Sequence, residues 1–341
     1  MSKARNLSAS YESAGKAEIP KRALLVGIDQ YDQIPGLSCC VADATAMREL
    51  LQKNEDGSPN YDCRLLVSSG EEKITRKVLR SQWNKLFGDY KGDLLFFFSG
   101  HGAPMRSGGY LVTQEGDLDD PGLAMDELLV LANSSEANSV LLILDCCSAG
   151  HLGLPAILQG GGSGHYQAHL REGLTILAAS GPTEEAFEVE GQGVFTRLVL
   201  GALSGGAADV RGLVSAASIY GYVEQTLGPW QQRPMYKSHA DKLQPVRTCR
   251  PAVPDPVLRE LPILFETPES FLRLDPSYEF THPSKKRKNV SLFKKFKMLR
   301  NARLLMTVDQ DDLYFAAMRS GRIGLTPVGQ FYWRLAEAGR L

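Results

Sequence analysis

The stretch Leu94-Leu95-Phe96-Phe97-Phe98-Ser99-Gly100-His101-Gly102 decides the fold. Its five consecutive apolar side chains leave no polar face, so both faces must be covered, as they are in strands inside an α/β sandwich. Matching runs occur at residues 22–28 (RALLVGI), 63–67 (CRLLV), 140–144 (VLLIL) and 174–179. Helical periodicity fills the intervals at 41–51, 74–87 and 125–131, and again at 194–203 and 214–227. Strands alternating with helices predict right-handed crossovers onto one mainly parallel sheet, with ligands bound beyond the carboxyl ends of its strands.

The LLFFF run passes directly into His101, held between Gly100 and Gly102, which let the backbone turn sharply at the edge where active sites form. One crossover later, the run at 140–144 enters Asp145-Cys146-Cys147-Ser148-Ala149-Gly150, bringing thiols to the same edge. A thiol beside an imidazole suits covalent acyl transfer, because the base lowers the effective pKa of the thiol and later protonates the leaving amine. Adjacent side chains of a strand point to opposite faces, so only one of Cys146 and Cys147 can meet His101; the other is expected in the core.

At 341 residues with a net charge of -1, the chain exceeds one ordinary domain and carries no global attraction to nucleic acid or anionic membrane. Six cysteines, two adjacent pairs among them, give neither a disulfide framework nor a zinc spacing. With no apolar run of about 18 residues and no apolar core in the first twenty, the expectation is a soluble, cytoplasmic protein.

Residues 1–20 form a polar leading segment, and three crowded prolines beginning at Pro251 (PAVPDP) set a boundary between a main domain, 21–250, and a linker with a smaller unit, 251–341. In the smaller unit, eight basic residues fall within 285–300, interleaved with Leu292, Phe293, Phe296 and Leu299 at helical spacing. Such a face can meet nucleic acid, an anionic membrane or an activating protein partner, or it can simply be solvated. Two tail helices follow, one between Asp309 and Gly321, the other with Thr326 as N-cap, Pro327 in first position and Gly339 beyond its end. The unit reads as a small, mostly helical module or part of a winged one.

The segments Ser99-Gly100-His101-Gly102 and Asp145-Cys146-Cys147-Ser148-Ala149-Gly150, on consecutive strands, resemble the caspase and metacaspase family of cysteine peptidases. Residues 22–29 with Leu37-Ser38-Cys39-Cys40-Val41-Ala42-Asp43-Ala44, and 173–180 with Gly193-Val194-Phe195-Thr196-Arg197, are similar to its opening and its smaller second half, so the resemblance covers about 21–246. It implies a caspase-like three-layer α/β/α sandwich, with a large part at 21–151, a Gly-rich loop at 152–172 and a small part at 173–250. The family pattern of Asp, any residue, then nucleophile selects Cys147 over Cys146. Ser148 and Ala149 match neither branch of the family after the nucleophile.

The resemblance further implies an endopeptidase acting on protein substrates, with an oxyanion hole from the backbone N–H groups of Gly102 and Cys147. Metacaspases use acids to hold a basic P1 residue, and Asp43 and Asp145 occupy the matching positions; Asp43 could instead cap the first helix. Arg171 is the basic residue near the loop where caspases are processed. No cofactor is required, although one metacaspase class binds calcium, and Asp117, Asp119 and Asp120 are candidate ligands of the hard-oxygen type. Prokaryotic caspase-like proteins often carry appended modules that link them to defence or cell-death partners. The competing reading is a catalytically silent scaffold that recruits partners through its basic tail.

Overall fold

The computed structural model describes residues 21–105, 108–146, 170–179, 188–189, 192–227, 234–240 and 244–341. Residues 18–250 and 251–341 belong to separate compact units.

The continuous apolar runs become the parallel strands of the first unit: β1 (Lys21–Gly27), β2 (Tyr61–Val67), β3 (Asp93–Ser99), then, beyond a small hairpin sheet, β7 (Ser139–Asp145) and β8 (Leu174–Ala178). The hairpin sheet comprises β4 (Gly102–Met105), β5 (Gly108–Val112) and β6 (Gly122–Ala124), all antiparallel. Downstream lie the two-residue strands β9 (Glu188–Val189), β10 (Gln192–Gly193) and β11 (Leu213–Val214), then β12 (Met235–His239) and β13 (Arg247–Thr248). The central sheet runs β12-β8-β7-β3-β1-β2, parallel throughout except for the edge strand β12.

Strand alternation sorts the core into two layers. Leu24, Val26, Phe96, Phe98, Leu142 and Leu144 face α2 (Arg76–Phe87) and α3 (Met125–Ser134). Ala23, Leu25, Leu95, Phe97, Leu141 and Ile143 face α1 (Cys40–Leu51), α4 (Val194–Gly201) and α5 (Ala216–Leu227). This is a three-layer α/β/α sandwich of caspase type; its four inner strands, β1, β3, β7 and β8, carry no polar face because each is covered twice, whereas β2 at the edge exposes Asp62 and Arg64. At Gly27 a Cβ would stand 2.2 Å from the carbonyl oxygen of Cys40, so the absence of a side chain lets α1 lie directly on β1.

The second unit holds α6 (Asp255–Leu258), α7 (Leu261–Leu264), β14 (Phe271–Arg273), α8 (Arg287–Asn301), β15 (Leu305–Thr307), α9 (Leu313–Met318), β16 (Arg322–Leu325) and α10 (Pro327–Glu337). The sheet β14-β16-β15 is antiparallel, so the module is helical with a wing-like sheet. The hydroxyl of Thr326 accepts the Gly329 N–H at 3.1 Å and Gly339 takes φ +64°, the cap and stop legible in the sequence. The preceding helix lies between Asp309 and Gly321 and is capped by Asp312, whose carboxylate accepts the Phe315 N–H at 2.9 Å. Among the described residues, no helix is long and apolar enough to cross a membrane.

Candidate active site

Strands β3 and β7 lie side by side with Ser99 opposite Asp145, and the Gly100 N–H reaches the Asp145 carbonyl at 3.3 Å. Both strands therefore end together, and the chain beyond each is delivered to one edge. At Gly100 a Cβ would meet the Tyr31 hydroxyl at 2.8 Å and the Phe98 ring at 2.9 Å, so this position admits the turn only without a side chain.

His101 follows that turn and is fixed at four points. Its N–H donates to the Tyr31 hydroxyl at 2.8 Å, its carbonyl accepts the Val112 N–H at 3.0 Å, and its ring lies 4.9 Å from that of Tyr31. The fourth contact sets its chemistry: Nε2 lies 2.9 Å from the Pro35 carbonyl oxygen. A carbonyl only accepts, so Nε2 carries the hydrogen and Nδ1 is left as the basic nitrogen of the neutral ring. Burial pushes the Tyr31 hydroxyl well above its ordinary pKa, so it stays neutral while it accepts the His101 N–H.

The Val112-to-His101 bond also defines the alternation of the β4–β5 ladder. It makes Gly102 opposite Leu111 a non-hydrogen-bonded pair, whose N–H points away from β5.

The two candidate pocket acids sit on the α1/α4 face of the same edge. Asp43, in the first turn of α1, is 0% exposed and accepts from the Ser99 hydroxyl at 3.3 Å. Asp145 is 7% exposed and accepts from Thr196 at the head of α4, through the hydroxyl at 2.6 Å and the backbone N–H at 3.2 Å. Asp43 does not cap α1: the Asp29 carboxylate does, accepting the N–H groups of Cys40 at 2.7 Å and Val41 at 3.3 Å. Since Ser99 is the cross-strand partner of Asp145, one serine links the neighbourhoods of both acids.

Of the adjacent sulfurs, Cys146 is 1% exposed and packed in the α2/α3 layer, so it is the one that enters the core. Cys147, the 152–169 part of the Gly-rich loop and the leading segment 1–20 lie outside the described residues. Cys39, Cys40, Cys63, Cys146 and Cys249 are free thiols.

Arg171 is held at the end of α3. Its N–H donates to Asn133 Oδ1 at 2.9 Å, its Nε to the Ala132 carbonyl at 3.0 Å and its Nη1 to the Glu172 carbonyl at 2.8 Å. The aspartates at 117, 119 and 120 are not gathered as ligands. Asp117 accepts the N–H groups of Asp119 and Asp120 at 2.9 and 2.7 Å in a turn, and Asp120 pairs with Arg76. Among the described residues no three His, Cys, Asp or Glu side chains are placed to hold a metal ion. A cleft of about 270 Å³ lined by Asn138, Ser139, Gly173, Thr175 and Pro245 lies at the amino edge of the sheet, the opposite end from His101.

Sequence reasoning missed Tyr31, Pro35, Ser99 and Thr196. Pro35 acts through its backbone carbonyl, which leaves no residue-type signature, and Tyr31 acts through its hydroxyl and ring from a loop 70 positions before His101.

None of the curated proteins matches the chain. Among solved structures, it is similar to protein GSU0716 from Geobacter sulfurreducens, with a TM-score of 0.49 and 18% identity over 68% of this chain and 98% of that one. It is also similar to caspase-1 from Spodoptera frugiperda, with a TM-score of 0.48 and 12% identity over 68% and 91%. The peptidase C14 caspase domain matches residues 20–244, the whole of the sandwich and more than half of the sequence. On that match the chain belongs to the caspase-domain family of cysteine peptidases.

Proposed function

We propose that the protein is an endopeptidase in which Cys147 attacks the scissile carbonyl and His101 Nδ1 takes and returns the proton. The observation that carries this is the pairing of Ser99 with Asp145: His101 and Cys147 each stand two residues beyond paired positions on neighbouring strands, which are about 4.8 Å apart. The Nε2–H bond to Pro35 orients the ring so that Nδ1 is the nitrogen left to take the proton. The outward N–H of Gly102, with that of Cys147, supplies donors to the oxyanion. On collapse, the amine leaves with the proton from His101, and water then releases the acyl group from sulfur by the reverse sequence.

Asp43 and Asp145, two buried carboxylates about one serine, attract a cationic P1 side chain, which favours cleavage after arginine or lysine. Processing after Arg171 requires release of that residue from Asn133 and Ala132, so activation by a partner or by cleavage is coupled to opening at the end of α3. The free thiols fit a reducing cytoplasm. The likeness to prokaryotic caspase-like proteins with appended modules favours a role in bacterial defence or programmed cell death. No step of the reaction calls for a cofactor.

The test is a panel of fluorogenic peptides ending in arginine, lysine or aspartate, read with intact protein and with Cys147→Ala, with reductant, with and without calcium. Turnover of the arginine and lysine peptides by the intact protein alone supports the reading. Equal background rates in both proteins would favour the scaffold instead.

A further inference from the structure

We propose that the second unit binds duplex DNA, with the exposed face of α8 lying in the major groove. Residues 251–341 hold 15 lysines and arginines against 10 aspartates and glutamates, although the whole chain has a net charge of -1. The excess is concentrated: no acid occurs between Phe280 and Val308.

Helix α8 sorts its side chains sharply. Phe293, Phe296 and Leu299 are buried, with Tyr278 packed on the two phenylalanines at ring distances of 6.4 and 6.2 Å. The outer stripe, at spacings of three and four, is Arg287, Ser291, Lys294, Met298 and Asn301, all exposed, with Lys288 beside it. Basic residues turned toward the body of the unit are partnered: Lys295 pairs with Glu260, Lys297 lies 3.8 Å from Glu279, and Arg300 donates to the Asp311 carbonyl at 2.8 Å. Among the described residues, no acid pairs with Arg287, Lys288 or Lys294.

Three physical points select the partner. Four consecutive cations, Lys285 to Lys288, sit at the start of α8 with no acid in its first turn, where the helix dipole disfavours them; phosphates placed there offset that cost. A bilayer needs an apolar face to insert, and the apolar face of α8 is already consumed by the core. Fifteen residues give a rod of about 22 Å, which the major groove of B-DNA admits and the narrow major groove of A-form RNA does not. Arginine, lysine, serine and asparagine are also the side chains that meet phosphates and base edges.

The experiment is fluorescence anisotropy of the full chain with a labelled mixed-sequence DNA duplex of about 20 bp, spanning two helical turns, across a salt series. The variant Arg287→Ala/Lys288→Ala/Lys294→Ala is compared with Lys77→Ala/Lys85→Ala/Lys91→Ala, which removes the same charge from exposed sites of the other unit. Expected are at least a tenfold loss and a salt slope shallower by about 2.7 in the first variant, at roughly 0.9 per lost phosphate contact, and near-intact binding in the second. Unchanged melting of both variants shows that they fold. No binding of the unaltered chain at low salt, equal losses in both variants, equal binding of an RNA duplex, or α8-dependent binding of phosphatidylserine vesicles without binding of DNA would each overturn the proposal.

Discussion

The Tyr31 hydroxyl accepts the backbone N–H of His101 at 2.8 Å, across 70 positions of sequence, and the two rings pack at an interplanar angle of 50°. Tyr31 is therefore a positioning residue, acting on the base through its main chain and its ring face. Tyr31→Phe keeps the ring and removes the acceptor. The expected result is a fall in kcat of about tenfold with KM little changed, since the substrate contacts remain and only the aim of His101 relaxes. A loss confined to KM, or one matched by general unfolding, would speak against this role.

Asp145 and Thr196 give a second prediction. Asp145→Asn removes the charge nearest the strand end and should lower kcat/KM for arginine and lysine peptides on the order of 100-fold, the cost of leaving a buried cation without its partner. Thr196→Val deletes the hydroxyl that donates at 2.6 Å. Denaturant unfolding should show a loss of about 1–3 kcal/mol as the buried carboxylate oxygen gives up that donor.

Arg171 yields a kinetic prediction. Asn133→Ala removes the acceptor of the Arg171 N–H and should speed self-cleavage after Arg171, measured by intact mass over time. The same change in a Cys147→Ala background should leave one chain. Cleavage at equal rates with and without Asn133 would show that the anchor does not gate processing.

The central sheet was legible because parallel strands covered on both faces are apolar without interruption, as in residues 94–98 and 140–144. The edge strand β12 was not: Met235-Tyr236-Lys237-Ser238-His239 is polar and antiparallel, with only one neighbour to bury it. The β4–β6 hairpin sheet also escaped, since Gly102, Pro104, Gly108 and Gly109 break any alternation. In the second unit, strands of three or four residues are too short to show a period. His101 was readable as a histidine between glycines at a strand end. Its tautomer was not, because that depends on a carbonyl 66 positions away at Pro35. Asp43 was open to a capping role until the cap was found to come from Asp29, 11 positions before the helix start.

The thiols separate by environment. Burial pushes the Cys40 thiol far up, and burial together with the Asp62 charge pushes Cys63 up to about 12. A raised pKa keeps the thiol protonated below that value, so at pH 8 only about one Cys63 in 10,000 is thiolate. Iodoacetamide on the native protein at pH 8 should leave Cys40 and Cys63 unmodified while Cys147 reacts, and labelling of Cys63 should rise steadily with pH. Rapid alkylation of Cys63 at pH 8 would contradict this.

The identity of the nucleophile is tested most directly by an arginyl chloromethyl ketone, which alkylates an active-site sulfur with loss of chloride. Intact mass and peptide mapping, with reductant and with and without calcium, should give a single adduct on Cys147, retained in Cys146→Ala and absent from Cys147→Ala. An adduct on Cys146, or one that survives Cys147→Ala, would contradict the account.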